Sequence, residues 1–556
     1  MTDVILNASI KVVATRNVID QCKMELQKIL PEIQRINSYK DMAIEQVVSE
    51  VLAHARQKKI TRFNLSTTLC TNALVKGETP PVAVLATRGP GIVFPPDFLP
   101  VEVSWLSAVM DHRGAEILPL QLAQIKEIAA QCKARGIEYY AVAGKFSPKN
   151  PAHENQIAAA LQGQAKHITL GHRLCGRLNF PRRLCSAYFN AAVWQSFATF
   201  AEAARQSVKR FGINQQPAII KADGGTMSLD EAANFPLESV FSGPAASIMG
   251  ILALTDCEDD ALVLDIGGTT TDIALLSAGV PILKPDGISL QGRPTLIRSV
   301  ETLSIGIGGD SLVQLKDGQA CVGPGRQGPC LALGGPAPTL MDACNVLGLG
   351  NLGDKQKSQQ GLSDIGQKTD TTTLAAHIVQ TALNRIYRAS LDMLAQVNAK
   401  PVYTIDELLS EKAVVPKRII VMGGPAATLA PELEKIFNLP VTVPPHAAVA
   451  NAIGAALTCP TAGLELFADT AKGFLAVSRY GVQKKIAPGF DLSEAVTTGQ
   501  FLLAEEMKKR GETVSPGEIQ ILEQSSFNMI EGYSRTGRNI RVKCQVRPRV
   551  RQLGCR

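Results

Sequence analysis

LVLDIGGTTTDIALL, residues 262–276, runs from one apolar segment to another through a turn of glycines and threonines. Residues 262–264 match a buried strand, and residues 273–276 match the returning strand of a hairpin. An aspartate stands at each end of the turn, as Asp265 and Asp272. The pattern predicts an antiparallel hairpin whose turn carries the polar chemistry.

The turn has the features of a phosphate cradle. Gly267 and Gly268 lack a Cβ, so their backbone N–H groups can approach anionic oxygens closely. Three hydroxyl groups follow at Thr269, Thr270 and Thr271. The stretch contains no GxxxxGK[ST] pattern and joins two strands rather than a strand and a helix, so it is not a Walker loop. The alternative is a tight hairpin whose threonines contact no ligand.

The two aspartates need a different role, because carboxylates repel phosphate. Carboxylate oxygens are ligands of hydrated Mg2+, and a carboxylate can also orient water. We therefore expect Asp265 and Asp272 to be metal ligands and catalytic residues.

The composition is that of a globular protein. Of the 556 residues, 45% are hydrophobic and 19% are charged, which excludes a disordered chain. No apolar run approaches the roughly 20 residues that cross a bilayer. The first residues, MTDVILNASI, lack the cationic and apolar regions of a secretory signal. We expect a cytoplasmic protein of about three or four domain-sized units.

Cysteine spacing and charge give no signal for a zinc centre or for nucleic acid. The 12 cysteines show no CxxC pair and no zinc-like Cys/His spacing, so free thiols are expected. The net charge is +7, with arginines concentrated near the C-terminus. There Ile540, Val542 and Val546 alternate with basic residues, which is typical of a strand with a solvated face. We expect neither a nucleic-acid partner nor a membrane partner.

The start of the chain matches the second half of the cradle. Residues 2–7, TDVILN, correspond to residues 271–276, TDIALL, and a turn and an apolar run follow each. The match indicates an internal repeat whose first copy lacks the leading strand and the glycine turn. Asp3 then corresponds to Asp272.

Polar side chains cluster in residues 64–77, NLSTTLCTNALVKG, at a predicted strand-to-helix junction. Thr67, Thr68 and Asn72 are candidates for contact with a ligand. Ordinary N-capping of the helix by Ser66 or Thr67 is the alternative, and both interpretations stay open.

Helices and strands alternate from residue 120 onwards, which is typical of an α/β protein. A buried strand is predicted at 82–87 and another strand at 139–143, after which FSPKNPAHE, residues 146–154, opens the next helix. His153 and Glu154 could be catalytic, but a helix start rich in Pro, His and Glu is more typical of a cap. We favour the structural interpretation.

Three further glycine turns follow predicted strands. ADGGTMS, residues 222–228, places Asp223 at a strand end, where ligands bind in open α/β sheets. IGIGGDS, residues 305–311, contains Gly308 and Gly309 without the G-x-G-x-x-G spacing, so we expect contact with substrate or phosphate instead. In MGGPAA, residues 422–427, Gly423 and Gly424 would admit a flat group such as adenine.

Taken in order, these motifs resemble the hydantoinase/oxoprolinase family, of the hydantoinase A subunit type, within the superfamily of sugar kinases, Hsp70 and actin. The resemblance covers about residues 2–460. It rests on TTLCTNAL (67–74), DHRGAEILPL (111–120), FSPKNPAHE (146–154), ADGGTMS (222–228), SGPAAS (242–247), DIGGTTTD (265–272), PTLMDA (338–343) and MGGPAA (422–427).

The resemblance implies an α/β fold with two RNase H-like lobes around a nucleotide cleft and a small C-terminal α+β segment. Residues 1–160 would be the family's N-terminal region, a truncated first lobe. Residues 161–460 would be the hydantoinase A core, and residues 461–556 an appended domain. In the cleft, DIGGTTTD would be the second phosphate loop, and MGGPAA would lie beside the adenosine.

The implied activity is ATP-dependent opening of a cyclic amide, of hydantoin or 5-oxoproline type, through phosphorylation of the amide oxygen. ATP and Mg2+ would be the cofactors, with Asp265 and Asp272 positioning Mg2+ and water. Asp223 joins the polar group at residues 67–72 as a candidate on the substrate side.

The sequence departs from the family pattern near its start. The family's first phosphate loop resembles DTGGTFTD, of which only Thr2 and Asp3 are present. We therefore expect the first loop and its strand to be missing, with Asp3 as the catalytic residue that remains. Leu65 and Ser66 also replace the usual His-Gly before the threonine pair.

Three functions stay open at this point. The first is the cyclic amidohydrolase, and the second is an ATP-switched accessory or activating subunit of a partner enzyme, such as a carboxylase, without amide turnover of its own. The third is a small-molecule kinase. A second hydantoinase-type subunit is a candidate partner, and we expect an oligomer.

Overall fold

The computed structural model describes residues 11–14, 63–89, 91, 98–210, 216–284, 286–316, 318–366, 369–399, 413–531 and 534–551. The strands within these ranges are β1 (Lys11–Ala14), β2 (Phe63–Ser66), β3 (Val82–Thr87), β4 (Val103–Leu106), β5 (Val109–Met110), β6 (Glu116–Leu118), β7 (Tyr139–Gly144), β8 (His167–Leu170), β9 (Ala218–Ile220), β10 (Thr226–Ser228), β11 (Ala261–Ile266), β12 (Thr271–Ser277), β13 (Val280–Pro281), β14 (Leu283–Lys284), β15 (Ser289–Leu290), β16 (Arg293–Pro294), β17 (Ser299–Val300), β18 (Thr302–Ile305), β19 (Val313–Lys316), β20 (Gln319–Val322), β21 (Arg418–Met422), β22 (Val441–Thr442), β23 (Gly463–Asp469), β24 (Phe474–Val477), β25 (Val482–Lys485), β26 (Ile519–Glu531) and β27 (Ser534–Val546).

The α-helices of the same ranges are α1 (Leu69–Lys76), α2 (Leu122–Ala134), α3 (Ala152–Leu161), α4 (Gly171–Leu174), α5 (Phe180–Arg210), α6 (Leu229–Asn234), α7 (Ser242–Leu254), α8 (Leu340–Val346), α9 (Lys355–Gly366), α10 (Thr371–Asn398), α11 (Ala426–Phe437), α12 (Ala450–Leu457) and α13 (Leu492–Lys509). No helix in the part of the chain that the structure describes is long and apolar enough to cross a membrane.

The predicted hairpin of residues 262–276 is confirmed and lies inside a six-stranded sheet, which we call the central sheet. Its order is β13-β12-β11-β21-β22, with β18 also paired to β12. Leu262 and Leu264 of β11 point into a core with α8 to α11. Ala261 and Val263 point into the opposite core with α7 and α12. Since both faces are covered, the strand is almost continuously apolar.

A second sheet, the first-lobe sheet, joins distant parts of the chain. Its order is β1-β2-β9-β10, and the parallel register of β2 and β9 pairs Asn64 with Ala218. The sheet therefore combines strands from both sides of the domain boundary that we predicted at residue 160. Its core includes Leu65 and Ile219, together with apolar residues of α1 and α5.

The third sheet is parallel, in the order β4-β3-β7-β8. The predicted strands at 82–87 and 139–143 are β3 and β7, and the helix predicted from residue 120 is α2. Every residue of β3 and β7 is buried, because α5 covers one face while α2 and α3 cover the other.

Helices α7 and α12 pack between the central sheet and the first-lobe sheet. A Cβ on Gly250 would lie 2.0 Å from the carbonyl oxygen of Ala450, and a Cβ on Gly454 would lie 2.0 Å from that of Ala246. Only glycine permits this approach of two helix backbones. Helix α7 contacts β11 on one side and β2 and β9 on the other, so the pair connects the two sheets.

The C-terminal residues form an antiparallel sheet in the order β25-β24-β23-β27-β26, with α13 packed on it. Ile540, Val542 and Val546 of β27 lie in its core. Their alternation with basic residues is therefore that of a strand with one buried face.

Candidate active site

The cradle turn, residues 266–271, closes the β11–β12 hairpin. The backbone N–H of Gly267 donates to the carbonyl of Thr270 over 2.9 Å, and Ile266 is the register partner of Thr271. Thr269 and Thr270 are partly exposed, whereas Thr271 is buried. The Thr271 hydroxyl donates to the carbonyl of Ile307, 2.7 Å away. Thr271 thus fixes the turn, while the other two threonines face the open side.

The glycine loop 305–311 lies directly against the cradle turn. The N–H of Gly309 donates to the carbonyl of Gly267 over 2.9 Å, and the N–H of Asp310 donates to that of Gly268 over 2.7 Å. A Cβ on Gly308 would lie 2.6 Å from the backbone of Gly268. The structure therefore brings these two predicted glycine segments together, with Gly308 and Gly309 in supporting contacts.

The MGGPAA segment, residues 422–427, reaches the same place. Strand β21 runs parallel to β11, and Met422 is the register partner of Asp265. Gly423 follows with φ of +95°, and a Cβ there would lie 2.1 Å from the carbonyl oxygen of Ile266. Around Gly424, by contrast, no described atom lies within 4 Å of a Cβ position. Helix α11 begins at the next alanine, so its positive N-terminal end faces this open space.

The two cradle aspartates face each other across the hairpin. Asp265 and Asp272 are register partners on neighbouring strands, so their side chains lie on one face of the sheet. It is the face of Val263, toward α7 and α12. Burial, assisted by the charge of Asp265, raises the pKa of Asp272 to about 6, although a hydrogen bond with Ser304 opposes the shift.

This carboxylate pair fits a divalent cation. A cation beside Asp265 and Asp272 would remove the repulsion that raises the pKa of Asp272. No third His, Cys, Asp or Glu of the described residues completes a metal cluster with them. Mg2+ commonly takes one or two carboxylates and fills its other positions with water and phosphate oxygens, so two protein ligands are sufficient.

An ion pair that the motifs did not reveal lies beside the cradle. The Arg326 guanidinium contacts the Asp310 carboxylate at 2.8 Å, and a Cβ on Gly268 would lie 2.5 Å from that carboxylate. Burial raises the pKa of Asp310 despite Arg326. The GIGGDS motif drew attention to the neighbouring glycines, but nothing in the sequence linked Arg326 to them.

Residues 67–72 lie at the end of β2 and hold the start of α7. The Thr67 hydroxyl accepts from the N–H of Leu69 over 3.2 Å, and its carbonyl accepts from the Ser242 hydroxyl over 2.8 Å. Asn72 donates to the hydroxyl of Thr68 over 3.3 Å. The N-cap position of α1 is Thr68 and no side chain caps the helix, so the capping interpretation with Ser66 or Thr67 is wrong. Contact of Thr67, Thr68 and Asn72 with a substrate stays a prediction.

Asp223 lies in an ion-pair network. Its carboxylate contacts the Lys221 ammonium at 3.1 Å and the Arg298 guanidinium. It also accepts from the N–H of Gly225 over 3.0 Å and from the hydroxyl of Thr461 over 3.2 Å. Burial alone would raise the pKa of Asp223. The charges of Lys221 and Arg298 outweigh this effect and hold the pKa well below its usual range. Its contact with a substrate stays a prediction.

The capping interpretation of His153 and Glu154 is wrong, although their role is structural. Helix α3 has no side-chain cap. The Glu154 carboxylate instead accepts from the N–H of Gly144 over 2.8 Å and contacts Nδ1 of His172 at 2.6 Å. His153 contacts the Glu116 carboxylate at 2.8 Å.

Asp3, which the sequence indicated as a catalytic residue, lies outside the described residues.

Three curated proteins share sequence similarity with the chain, among them an uncharacterised protein and a carboxylase subunit. An uncharacterised protein of Methanocaldococcus jannaschii is 22% identical over 62% of this chain and 54% of its own length. The acetophenone carboxylase gamma subunit of Aromatoleum aromaticum is 24% identical over 43% of this chain and 35% of its own length. The chain thus spans about half or less of the curated relatives it matches.

Solved structures and family models extend the comparison. A nucleotide-free acetone carboxylase structure is 15% identical, covers 88% of this chain and 79% of that chain, and has a TM-score of 0.61. The ATP-dependent caprolactamase of Pseudomonas jessenii is 15% identical, covers 90% and 82%, and has a TM-score of 0.62. At this identity the likeness shows a shared fold.

The sequence model of the hydantoinase/oxoprolinase family matches residues 183–462, and the sequence model of that family's N-terminal region matches residues 1–164. The chain belongs to the hydantoinase/oxoprolinase family.

Proposed function

We propose that the protein is an ATP-dependent hydrolase that opens a cyclic amide of the hydantoin or 5-oxoproline type. The observation that carries the proposal is the meeting of three glycine segments around one carboxylate pair. The cradle turn, the loop 305–311 and the MGGPAA segment are joined by the contacts at Gly267, Gly268 and Gly423. Backbone donors, open space and paired carboxylates are what a magnesium nucleotide requires.

The nucleotide would lie between two lobes. Asp265 and Asp272 point to the side of the central sheet where α7 and α12 connect it to the first-lobe sheet. We therefore place the cleft on this side, with RNase H-like lobes of the actin and Hsp70 type closing around ATP. Thr67, Thr68, Asn72 and Asp223 of the first-lobe region remain the candidates for the substrate side.

The glycine segments and the carboxylate pair would each bind a different part of the magnesium nucleotide. The N–H groups of Gly268 and Thr269 donate to no backbone acceptor within the described residues, and with the Thr270 hydroxyl they would bind phosphate oxygens. The open space at Gly424 would receive the flat adenine. Asp265 and Asp272 would hold Mg2+, which supplies positive charge to the phosphate oxygens when bound.

The reaction would proceed in three steps. The amide oxygen attacks the γ-phosphorus of ATP while the bond to the β-phosphate oxygen breaks and ADP leaves. Water then attacks the activated carbon and the ring C–N bond opens, which leaves an amine and an acyl phosphate. A second water hydrolyses the acyl phosphate to a carboxylate and inorganic phosphate. Asp272 would orient the first water by accepting a hydrogen bond from it beside the metal.

The test is phosphate release that depends strictly on a cyclic amide. The purified full chain is incubated with ATP, Mg2+ and hydantoin, 5-oxoproline or caprolactam, and ADP, phosphate and the ring-opened product are quantified. Asp265→Asn should lower turnover by about 100-fold or more, since it removes a charge from the metal and transition-state environment.

Asp259→Asn is the matched control. Asp259 precedes the same strand but pairs with Lys417 and Arg418 at the surface, so turnover should be unchanged. Absence of nucleotide binding in calorimetry would refute the proposal, and an unchanged rate in Asp265→Asn would remove this residue from the mechanism. A stable phosphorylated product without ring opening would identify a kinase.

A second candidate function is an ATP-switched accessory or activating subunit. The similarity to a subunit of acetophenone carboxylase favours it, because that relative is one component of a larger enzyme. This function predicts nucleotide binding and co-purification with a partner enzyme, such as a second hydantoinase-type subunit, without amide turnover. Amide turnover by the chain alone would rule it out.

A further inference from the structure

A cavity separate from the cradle lies between the parallel sheet and the C-terminal sheet. Its volume is about 220 Å³, and its wall includes the FSPKNPAHE segment and strands β23 and β27. The Ser478 hydroxyl donates to the carbonyl of Pro148 over 2.7 Å, which holds this segment to the C-terminal unit. The proposed nucleotide site uses none of these residues.

The wall of this cavity is cationic. Four cations, Lys149, Arg177, Arg541 and Lys543, line it together with two carboxylates, Glu465 and Glu523. Lys543 and Glu465 are 4.0 Å apart, and Glu523 is exposed. Arg541 is partly buried, and its side chain has no ion-pair or hydrogen-bond partner within the described residues. Arg177 also pairs with Asp286 at 3.4 Å, so the positive charge that these carboxylates leave unbalanced lies mainly on Lys149 and Arg541.

Lys149 brings a buried charge to the same wall. Only 9% of the residue is exposed, its ammonium donates to the carbonyl of His112 over 2.6 Å, and it lies 4.8 Å from the ring centroid of Phe467. Burial, with the charge of Arg541 next, lowers the pKa of Lys149 to about 8, although Asp469 and Asp111 oppose this. Two cations that repel each other in a partly buried space favour an anion between them.

We propose that this cavity binds a small molecule bearing an oxyanion, a carboxylate or a phosphate group, between Lys149 and Arg541. Charge-assisted hydrogen bonds from an ammonium and a guanidinium would hold it. The volume of about 220 Å³ is below the roughly 300 Å³ of pockets for drug-sized ligands, so the ligand is small. The inference is independent of the amidohydrolase proposal, since it concerns another region of the molecule.

The test is calorimetric titration of the full chain with sodium phosphate and, separately, with sodium acetate at constant ionic strength. We expect saturable binding of at least one anion. Arg541→Gln should weaken that binding by about tenfold or more, whereas Arg541→Lys should retain most of it. The anion that binds more tightly distinguishes a phosphate site from a carboxylate site.

Arg538→Gln is the matched control, because Arg538 lies on the same strand outside the cavity and loses the same charge. Phosphate bound at the cradle would persist in both variants, so only the component lost in Arg541→Gln belongs to the cavity. Thermal unfolding verifies that each variant is folded, and Lys543→Gln replaces Arg541→Gln if the latter is not. No saturable binding, or equal binding by the wild type and the cavity variant, would overturn the proposal.

Discussion

Two aspartate–glycine turns, at residues 223–225 and 265–268, look alike in sequence but differ in charge balance. Asp223 contacts Lys221 and Arg298, so the protein itself neutralises its carboxylate. Asp272, the partner of Asp265, faces another carboxylate, and its pKa is raised to about 6. The pKa of Asp223 is instead lowered from its usual value.

The difference teaches that the nearby charges, rather than the glycines, determine whether the fold itself neutralises the aspartate of such a turn. A neutralised carboxylate stabilises the fold and has little to gain from a metal ion. Burial and the charge of Asp265 disfavour the ionised form of Asp272, and a bound cation would relieve that cost. The comparison can be tested with substitutions in each of the two turns.

The largest effect is expected for Asp223→Asn. The substitution keeps the shape but leaves Lys221 buried without its closest counter-charge, so the free energy of unfolding should fall by about 3–5 kcal/mol. Denaturant unfolding measures the change. The control is Asp230→Asn, whose exposed pair with Arg205 should contribute less than about 1 kcal/mol. Equal effects in the two variants would contradict a structural role for Asp223.

The next largest loss of stability is expected for one of two matched glycine substitutions. A Cβ at Gly225 would lie 1.9 Å from the Thr461 hydroxyl oxygen and 2.5 Å from its Cβ. A Cβ at Gly268 would instead meet the end of the Asp310 side chain at 2.5 Å, which can move. Gly225→Ala should therefore cost about 1–3 kcal/mol, and Gly268→Ala less. In calorimetry, however, Gly268→Ala should weaken nucleotide binding more than Gly225→Ala.

Asp272→Asn should stabilise the protein in the absence of a cation. The folded-state pKa of about 6 lies above the ordinary 3.8, so the ionised carboxylate destabilises the fold at pH above 6. At pH 8 the variant should gain up to about 3 kcal/mol, and the gain should vanish as the pH falls toward 4. Thermal unfolding across this range measures it. A destabilised variant at pH 8 would contradict the repulsion between the two carboxylates.

The smallest effect is expected for Arg326→Gln. The Arg326–Asp310 pair is partly exposed, so its loss should change the free energy of unfolding by less than about 1 kcal/mol. The Asp310 pKa should rise further, because Arg326 is the charge that lowers it. Carboxyl titration by NMR measures that rise. A pKa that does not change would show that the ion pair is absent in solution.

Local patterns allowed much of the fold to be predicted from the sequence. The β11–β12 hairpin followed from two apolar segments and a glycine turn, and β3 and β7 followed from short buried runs. Alternation of helices and strands correctly indicated an α/β protein. These features depend on residues close together in the chain, which is the information that periodicity contains.

Contacts between distant residues could not be predicted in the same way. Arg298 and Thr461 reach Asp223 from other segments, and neither lies in a motif that names a partner. The capping interpretation of Glu154 was wrong because His172 and Gly144 approach it through tertiary packing. The glycine segments of the candidate site were recognised one at a time, but their contact with each other is a property of the folded chain.

The parallel pairing of β2 with β9 delays completion of the first-lobe sheet during synthesis. Residues 67–217 must be made between the two strands, which takes roughly 8–30 s at usual elongation rates. The parallel sheet lies wholly within that interval and can fold first. Until residue 218 emerges, the edge of β2 has unpaired backbone groups that can bind another chain. Aggregation on the ribosome should therefore concentrate among nascent chains that end before β9.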